Sequence, residues 1–297
     1  MSSSGGKGWS QKGGGGGRMS FGFWWPSFLM PDLRWCAVLK PYGFAVSRDV
    51  AAAFPRPSVE TTLRPFLGEG RELGFPLGLH RAAEGLLLVT TDGPMLRCFS
   101  DVVRQRRVVG VFRVLAGIPP AAARHTSRAL LDAGGGVLQQ GALVSGDSAE
   151  VPAGGSGAHA EGSAAAATQF VLESGPRPSA AWPGLSTAVF LARPSAGAGT
   201  AGANQLREDF ARAGCPVLFD PRHCPTRGGE SVPTRSSHGI PLETVPSIGV
   251  GAMGLQLQEL EFPHPFRTGE AVRISLRAPP KEWAALHAPD VDADTSL

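Results

Sequence analysis

The chain has 297 residues, 42% of them apolar, enough for a core in one large domain or two small ones, while 40 glycines and 26 prolines assign part of the length to loop. The net charge of +3 hides an asymmetry: residues 1–131 carry 17 Lys/Arg against 8 Asp/Glu, and residues 132–297 carry 11 against 17. The basic front half suits contact with phosphate, and no apolar run is long enough to argue for a membrane span.

Residues 1–33 read as a leader. The first 31 hold no Asp or Glu, three basic residues, several serines and many glycines; a disordered segment and a mitochondrial presequence fit equally. The apolar run Phe21 to Met30 is short and broken by Pro26. A single domain is expected over residues 34–281. It opens with a strand through Ala37-Val38-Leu39, a turn at Pro41-Tyr42-Gly43 and a strand over Gly85–Thr90. Thr91-Asp92-Gly93 then caps a helix with Leu96, Phe99 and Val103 on one face. That helix ends in Arg104, Arg106 and Arg107, which read evenly as cations at a helix C-terminus or as phosphate contacts. A strand over Val108–Ala116 follows.

Residues 133–167 are rich in Gly, Ala and Ser and read as an irregular insertion. Strands resume at Thr168–Leu172 and Thr187–Ala192. Asn204 to Ala213 has helical spacing, with Leu206, Phe210 and Ala213 aligned, Asn204 as N-cap and Gly214 as terminator. Residues 225–247 read as loop. Leu255/Leu257 and Leu260/Phe262 alternate with a phase slip that predicts a bulge, Val272, Ile274 and Leu276 alternate cleanly, and residues 282–297 form a tail. Strands outnumber helices, so the class is α+β: a mixed, mostly antiparallel sheet with flanking helices. Cys36, Cys98, Cys215 and Cys224 form no C-x-x-C pair, and only His223 adjoins one of them. Idle thiols in a reducing compartment are the default, with a zinc site the weaker alternative.

Five segments, in order, resemble one family. His80-Arg81-Ala82-Ala83-Glu84-Gly85-Leu86-Leu87-Leu88 resembles the active-site strand of large-ribosomal-RNA (RluA-type) pseudouridine synthases, H-R-L-D-x-x-T-S-G-L-L-L, shortened by three residues and without its Asp. Lys40-Pro41-Tyr42-Gly43 resembles the family's K-P-x-G. Val108 to Pro119 resembles the strand that contains K-x-Y and ends in G-x-P. Asn204-Gln205-Leu206-Arg207, followed by Gly214 to Asp220, resembles R-T-H-Q-I-R…G-x-P-I-x-G-D. Leu257 to Glu270 resembles L-x-F-x-H-P-x-T-G-E. Together they cover roughly residues 35 to 281.

The resemblance implies a pseudouridine synthase fold, RNA as partner, and chemistry without metal or small-molecule cofactor. In the family an Asp attacks a flipped-out nucleotide, an Arg pairs with that Asp, and a Tyr lies against the base. Here Glu84 is the residual carboxylate, displaced four residues along the strand, roughly 13 Å. Gly202 falls at the partner Arg and Gly110 at the Lys before the Tyr. Phe112 stands for the Tyr, since the chain's one tyrosine, Tyr42, belongs to the turn. These losses argue against turnover.

The expected remnant is an RNA-binding cleft with His80, Arg81 and Phe112 near its centre, Lys40 at its edge, Arg104, Arg106 and Arg107 on its rim, and Arg207 at the family's second arginine. For His80 and Arg81 a remnant without ligand is the equal alternative, and His264 reads as structural. The favoured function is a catalytically degenerate homologue acting as an RNA-binding structural or assembly factor on mitochondrial ribosomal RNA, in company with ribosomal or assembly proteins. An active synthase using a non-standard carboxylate, and a protein scaffold with no RNA role, are the alternatives.

Overall fold

The computed structural model describes residues 34–47, 57–67, 72–118, 126–144, 167–179, 186–220, 222–223, 253–280 and 283. The expected leader, the part of the insertion after residue 144, the loop 225–247, Cys224 and most of the tail lie outside the described residues.

The elements in chain order are β1 (Trp35–Lys40), α1 (Val59–Leu67), β2 (Glu84–Thr90), α2 (Gly93–Arg104), β3 (Val109–Ile118), α3 (Thr126–Ala133), β4 (Gly135–Gln139), β5 (Ala142–Val144), β6 (Ala167–Pro178), β7 (Ser186–Pro194), α4 (Gly199–Arg212), β8 (Leu255–Pro263) and β9 (Ala271–Ser275). The strands form one sheet in the order β1-β2-β8-β3-β7-β6-β4-β5, with β9 added to β8. The β2–β8 pair is parallel and the others are antiparallel. This is the mixed, mostly antiparallel α+β sheet expected. The parallel contact is two residue pairs long, Glu84↔Gln256 and Gly85↔Leu257. A Cβ on Gly85, which has φ +141°, would lie 2.5 Å from Leu257 N, so a glycine is needed for the two strands to meet.

Alternation of apolar residues builds the main core on one face of the sheet. Phe112, Val114 and Ala116 of β3, Ala188 and Phe190 of β7, and Leu255 and Leu257 of β8 point into it, together with Leu206 and Phe210 of α4 and Phe99 of α2. Trp35, Phe99 and Phe262 meet edge to face with all three centroid separations 5.5 Å, which fixes α2 over the ends of β1 and β8. A smaller cluster of Val38, Val59, Leu63, Leu87 and Val89 holds α1. The phase slip in β8 is real: Val111 pairs with Glu259 but Phe112 pairs with Leu257, leaving Gln258 as the bulge residue.

Asp92 caps α2 as expected, accepting from Met95 N at 2.9 Å, but the buried face is Met95 and Phe99, with Val103 only half-buried. Helix α1 was not anticipated. Its start is a reciprocal cap in which Thr61 N donates to Ser58 Oγ and Ser58 N donates to Thr61 Oγ1, a capping box with Thr in the usual acidic position. Helix α3 was likewise unforeseen. The expected irregular insertion is ordered at its beginning: β4 and β5 form a hairpin across Gln140-Gly141, whose φ values of +52° and +82° match the two-residue turn that strand twist favours. Helix α4 begins at Gly199 rather than Asn204, and its N-cap Ala198 makes no side-chain cap bond. Gly214 ends it as expected, with Gly214 N donating to Ala211 O and Cys215 N to Phe210 O, the Schellman pattern.

Candidate nucleic-acid interface

Lys40 ends β1 with no exposed surface. Its Nζ lies 2.9 Å from Pro41 O, 3.0 Å from Phe44 O, 3.2 Å from Arg81 O and 2.7 Å from Ala83 O. These carbonyls tie the turn after β1 to the segment before β2. Burial pushes the ammonium down to about 7, opposed by the Glu84 carboxylate and assisted by Arg81. An ammonium spent on four internal carbonyls does not reach a phosphate, so the expected place of Lys40 at the cleft edge is corrected.

The same tie holds His80 and Arg81. Gly43 N donates to Arg81 O at 2.9 Å, and Arg81 Nε donates to Gly43 O at 2.6 Å while the residue stays exposed. His80 is half-buried, with Nδ1 accepting from Ala82 N at 3.2 Å. Burial, then the charges of Arg207 and Lys40, lower its pKa against the pull of Asp220, so the ring is neutral near pH 7.

Upstream of His80, Leu77 and Leu79 are buried in the main core with Ala83, Phe112, Ala203 and Leu206. The loop presses directly on the start of α4: a Cβ on Gly199 would lie 2.7 Å from both Gly78 O and Leu77 Cδ1. A Cβ on Gly202 would lie 1.9 Å from Gly197 O, and one on Gly110 2.8 Å from Ala198 Cβ. The two positions where the resemblance would put cationic side chains are therefore points of backbone contact. Phe112, 0% exposed, is core and offers no face to a base, which corrects its expected place in the cleft.

Glu84 is turned elsewhere. Its Oε1 accepts from Gln256 Nε2 at 3.0 Å, Gln256 Oε1 accepts from Arg113 Nη1 at 3.1 Å, and Arg113 holds Glu173 through two bonds of 2.7 and 2.8 Å. Arg113 follows Phe112 on β3, so this network lies on the face opposite the main core. Glu84 thus faces away from Phe112. Arg207 is also accounted for. Its Nε and Nη2 donate to Asp220 at 2.9 and 2.6 Å, its Nη1 donates to Asn204 Oδ1 at 2.9 Å, and the pair is 5% and 0% exposed. It braces α4 from inside the protein. Burial raises the Asp220 carboxyl, but bonds from Arg207 and from Arg222 N, with the Arg207 charge, outweigh it and hold its pKa below the usual range.

Arg104, Arg106 and Arg107 remain, all exposed. Arg104 pairs with Asp101, which is half-exposed itself. Arg106 N donates to Val103 O and Arg107 N to Val102 O, a Schellman end that sets Arg106 at the left-handed position usually given to glycine, with φ +55°. Arg104 and Arg106 border a depression of about 190 Å³ against Val108, Ala196, Gly197 and Ala201. Sequence marked these arginines; it did not mark the strained backbone beneath Arg106 or the exposed Phe266 at the β8–β9 turn. His264 is structural as expected, its Nδ1 accepting from Phe266 N and Arg267 N, both at 3.1 Å.

Among the described residues, no group of three or more His, Cys, Asp or Glu could hold a metal ion, and no helix is long and apolar enough to cross a membrane. Cys215 is buried, which pushes its thiol up to about 12.

No family model and no curated protein matches this chain. Among solved structures it is similar to human RNA pseudouridylate synthase domain containing 1, with TM-score 0.50, 14% identity, and 82% of this chain and 80% of that one covered. It is also similar to human RNA pseudouridylate synthase domain containing 4, with TM-score 0.48, 17% identity, and coverage of 82% and 85%. The fold is pseudouridine synthase-like.

Proposed function

We propose that this pseudouridine synthase-like chain does not isomerise uridine but binds RNA through the arginines that close α2, as a structural or assembly factor on ribosomal RNA. The observation that carries the reading is the packed space where a flipped nucleotide would have to enter. Leu77, Leu79, Ala83, Phe112 and Ala203 share one core there, and Gly202 abuts Gly197 O. A base needs a pocket with a carboxylate facing it, and here the shortened loop has become core. Glu84 lies on the opposite face, which disfavours the reading of an active enzyme with a displaced carboxylate.

RNA contact rests on the fold, on the basic front half of the chain, and on Arg106 and Arg107, exposed guanidiniums outside the ion pairs of the described residues. Arg81, exposed beside the Gly43 turn, is a further cation among the described residues. The ribosomal and mitochondrial setting rests on the fold and on the acid-poor composition of residues 1–31. Crosslinking the protein to RNA in cells, then sequencing the attached fragments from purified organelles, tests both. Enrichment of mitochondrial ribosomal RNA supports the assignment. Recovery of no RNA, with partner proteins unchanged in the Arg106→Glu/Arg107→Glu variant, favours the scaffold reading instead.

A further inference from the structure

The turn joining β8 to β9 holds an aromatic ring in solvent. Phe266 is 66% exposed, and with Val144 it makes up the exposed large hydrophobics among the described residues. The backbone below it is fixed rather than loose. His264 Nδ1 accepts from Phe266 N and Arg267 N at 3.1 Å each, His264 N donates to Glu270 O at 2.9 Å, and Pro265 restricts φ just before the ring. The His264 ring stands edge-on to Phe266 at 6.2 Å, leaving the ring 66% open to solvent. A rigid aromatic so presented makes no contribution to the core and is pre-organised for a stacking partner.

Its surroundings indicate which partner. Val109 pairs with Glu261 in the antiparallel β3–β8 ladder, so the start of β3 and the finish of β8 lie at the same end of the sheet. Phe266 follows the last residue of β8 by three positions, within the turn. Arg106 and Arg107, just before β3, and the turn, just after β8, therefore share that end, and Arg267 next to the ring is 67% exposed and ion-paired with Glu270. Cations at the same end of the sheet suit the charge of a nucleic-acid backbone, and an open ring suits an unstacked base.

We propose that Phe266 stacks on an unpaired base of RNA whose backbone crosses Arg106 and Arg107. The partner is therefore single-stranded or looped RNA, not duplex, whose bases already stack on one another. This rests on the RNA-binding reading above and adds to it a second contact and a selectivity.

The test is fluorescence anisotropy with a mixed-sequence single-stranded oligoribonucleotide and with its duplex, over a salt series. It compares the full chain, Phe266→Ala, Phe266→Trp and Arg106→Glu/Arg107→Glu, each checked for an unchanged melting temperature. Phe266→Ala is expected to weaken single-strand binding about tenfold, leave duplex binding and the salt slope unchanged, and be rescued by Phe266→Trp. The arginine variant is expected to lower the salt slope, since it removes phosphate contacts. If the arginine variant loses affinity while Phe266→Ala binds both RNAs as the parent does, the stacking proposal is overturned and the RNA reading stands. Equal loss for both RNAs also overturns it. If the parent binds neither RNA, both fail.

Discussion

Gly202 lies against Gly197 so closely that a Cβ at position 202 would stand 1.9 Å from the Gly197 carbonyl oxygen. Carbonyl oxygen and helix backbone cannot interpenetrate, so this spot, where the resemblance expects an arginine, accepts no side chain without moving the α4 start. Gly202→Ala is expected to destabilise the fold by about 3 kcal/mol, the upper part of the range for overpacking, read from denaturant midpoints. A variant no less stable than the parent contradicts the packing described.

Arg106 occupies a left-handed backbone position at φ +55°. A non-glycine residue there carries a cost of about 1 kcal/mol, which glycine relieves. Arg106→Gly is accordingly expected to raise stability by about that amount while weakening RNA binding and reducing the slope of log affinity on log salt by about 0.7 to 1. Thermal melting and a salt titration on one preparation check both halves. A variant that gains stability and keeps full affinity removes Arg106 from the interface.

The buried pair Arg207–Asp220 is expected to matter to folding and not to RNA. Removing one partner strands the other without compensation, so Arg207→Met should cost about 3–5 kcal/mol. The sign of the pH dependence follows from the depressed pKa of Asp220. Its contribution is present above the unfolded value of about 3.9 and is lost as pH falls through the lower folded value. The stability gap between the parent chain and Asp220→Asn should therefore be constant at neutral pH and shrink below about pH 4, as urea titrations at several pH values will show.

Lys40→Ala would take the shared donor from four carbonyl oxygens, of which Arg81 O keeps its bond from Gly43 N. Unsatisfied buried groups cost about 1–3 kcal/mol each, so a loss of at least about 3 kcal/mol is expected, with RNA affinity of the folded fraction unchanged. Affinity that falls while stability holds would return Lys40 to the binding surface.

Much of the sheet was legible from alternation alone. The phase slip between Leu257 and Leu260 announced the Gln258 bulge, and Gly214 announced the end of α4. The start of α4 was not legible, because Gly199-Thr200-Ala201-Gly202 is a poor helix-forming run without a polar cap. Tertiary contact of Gly199 with Leu77 and of Gly202 with Gly197 takes the place of propensity there. α1 escaped for a related reason, since its cap pairs Ser58 with Thr61 where an acidic partner is usual. At the site, the sequence could not tell spent charges from free ones. Lys40 and Arg207 look like Arg107 in the sequence, yet the first two serve Ala83 O and Asp220 inside the protein. Phe112 likewise reads as a possible stacking ring until β3 turns it into the core.

The most direct test of the proposed loss of catalysis is quantitative pseudouridine analysis by mass spectrometry, after incubating the purified full chain with uridine-containing ribosomal RNA transcripts. No pseudouridine above the protein-free control is expected, at any transcript, even where the RNA is bound. Conversion at a defined uridine, abolished by Glu84→Gln, would contradict the account.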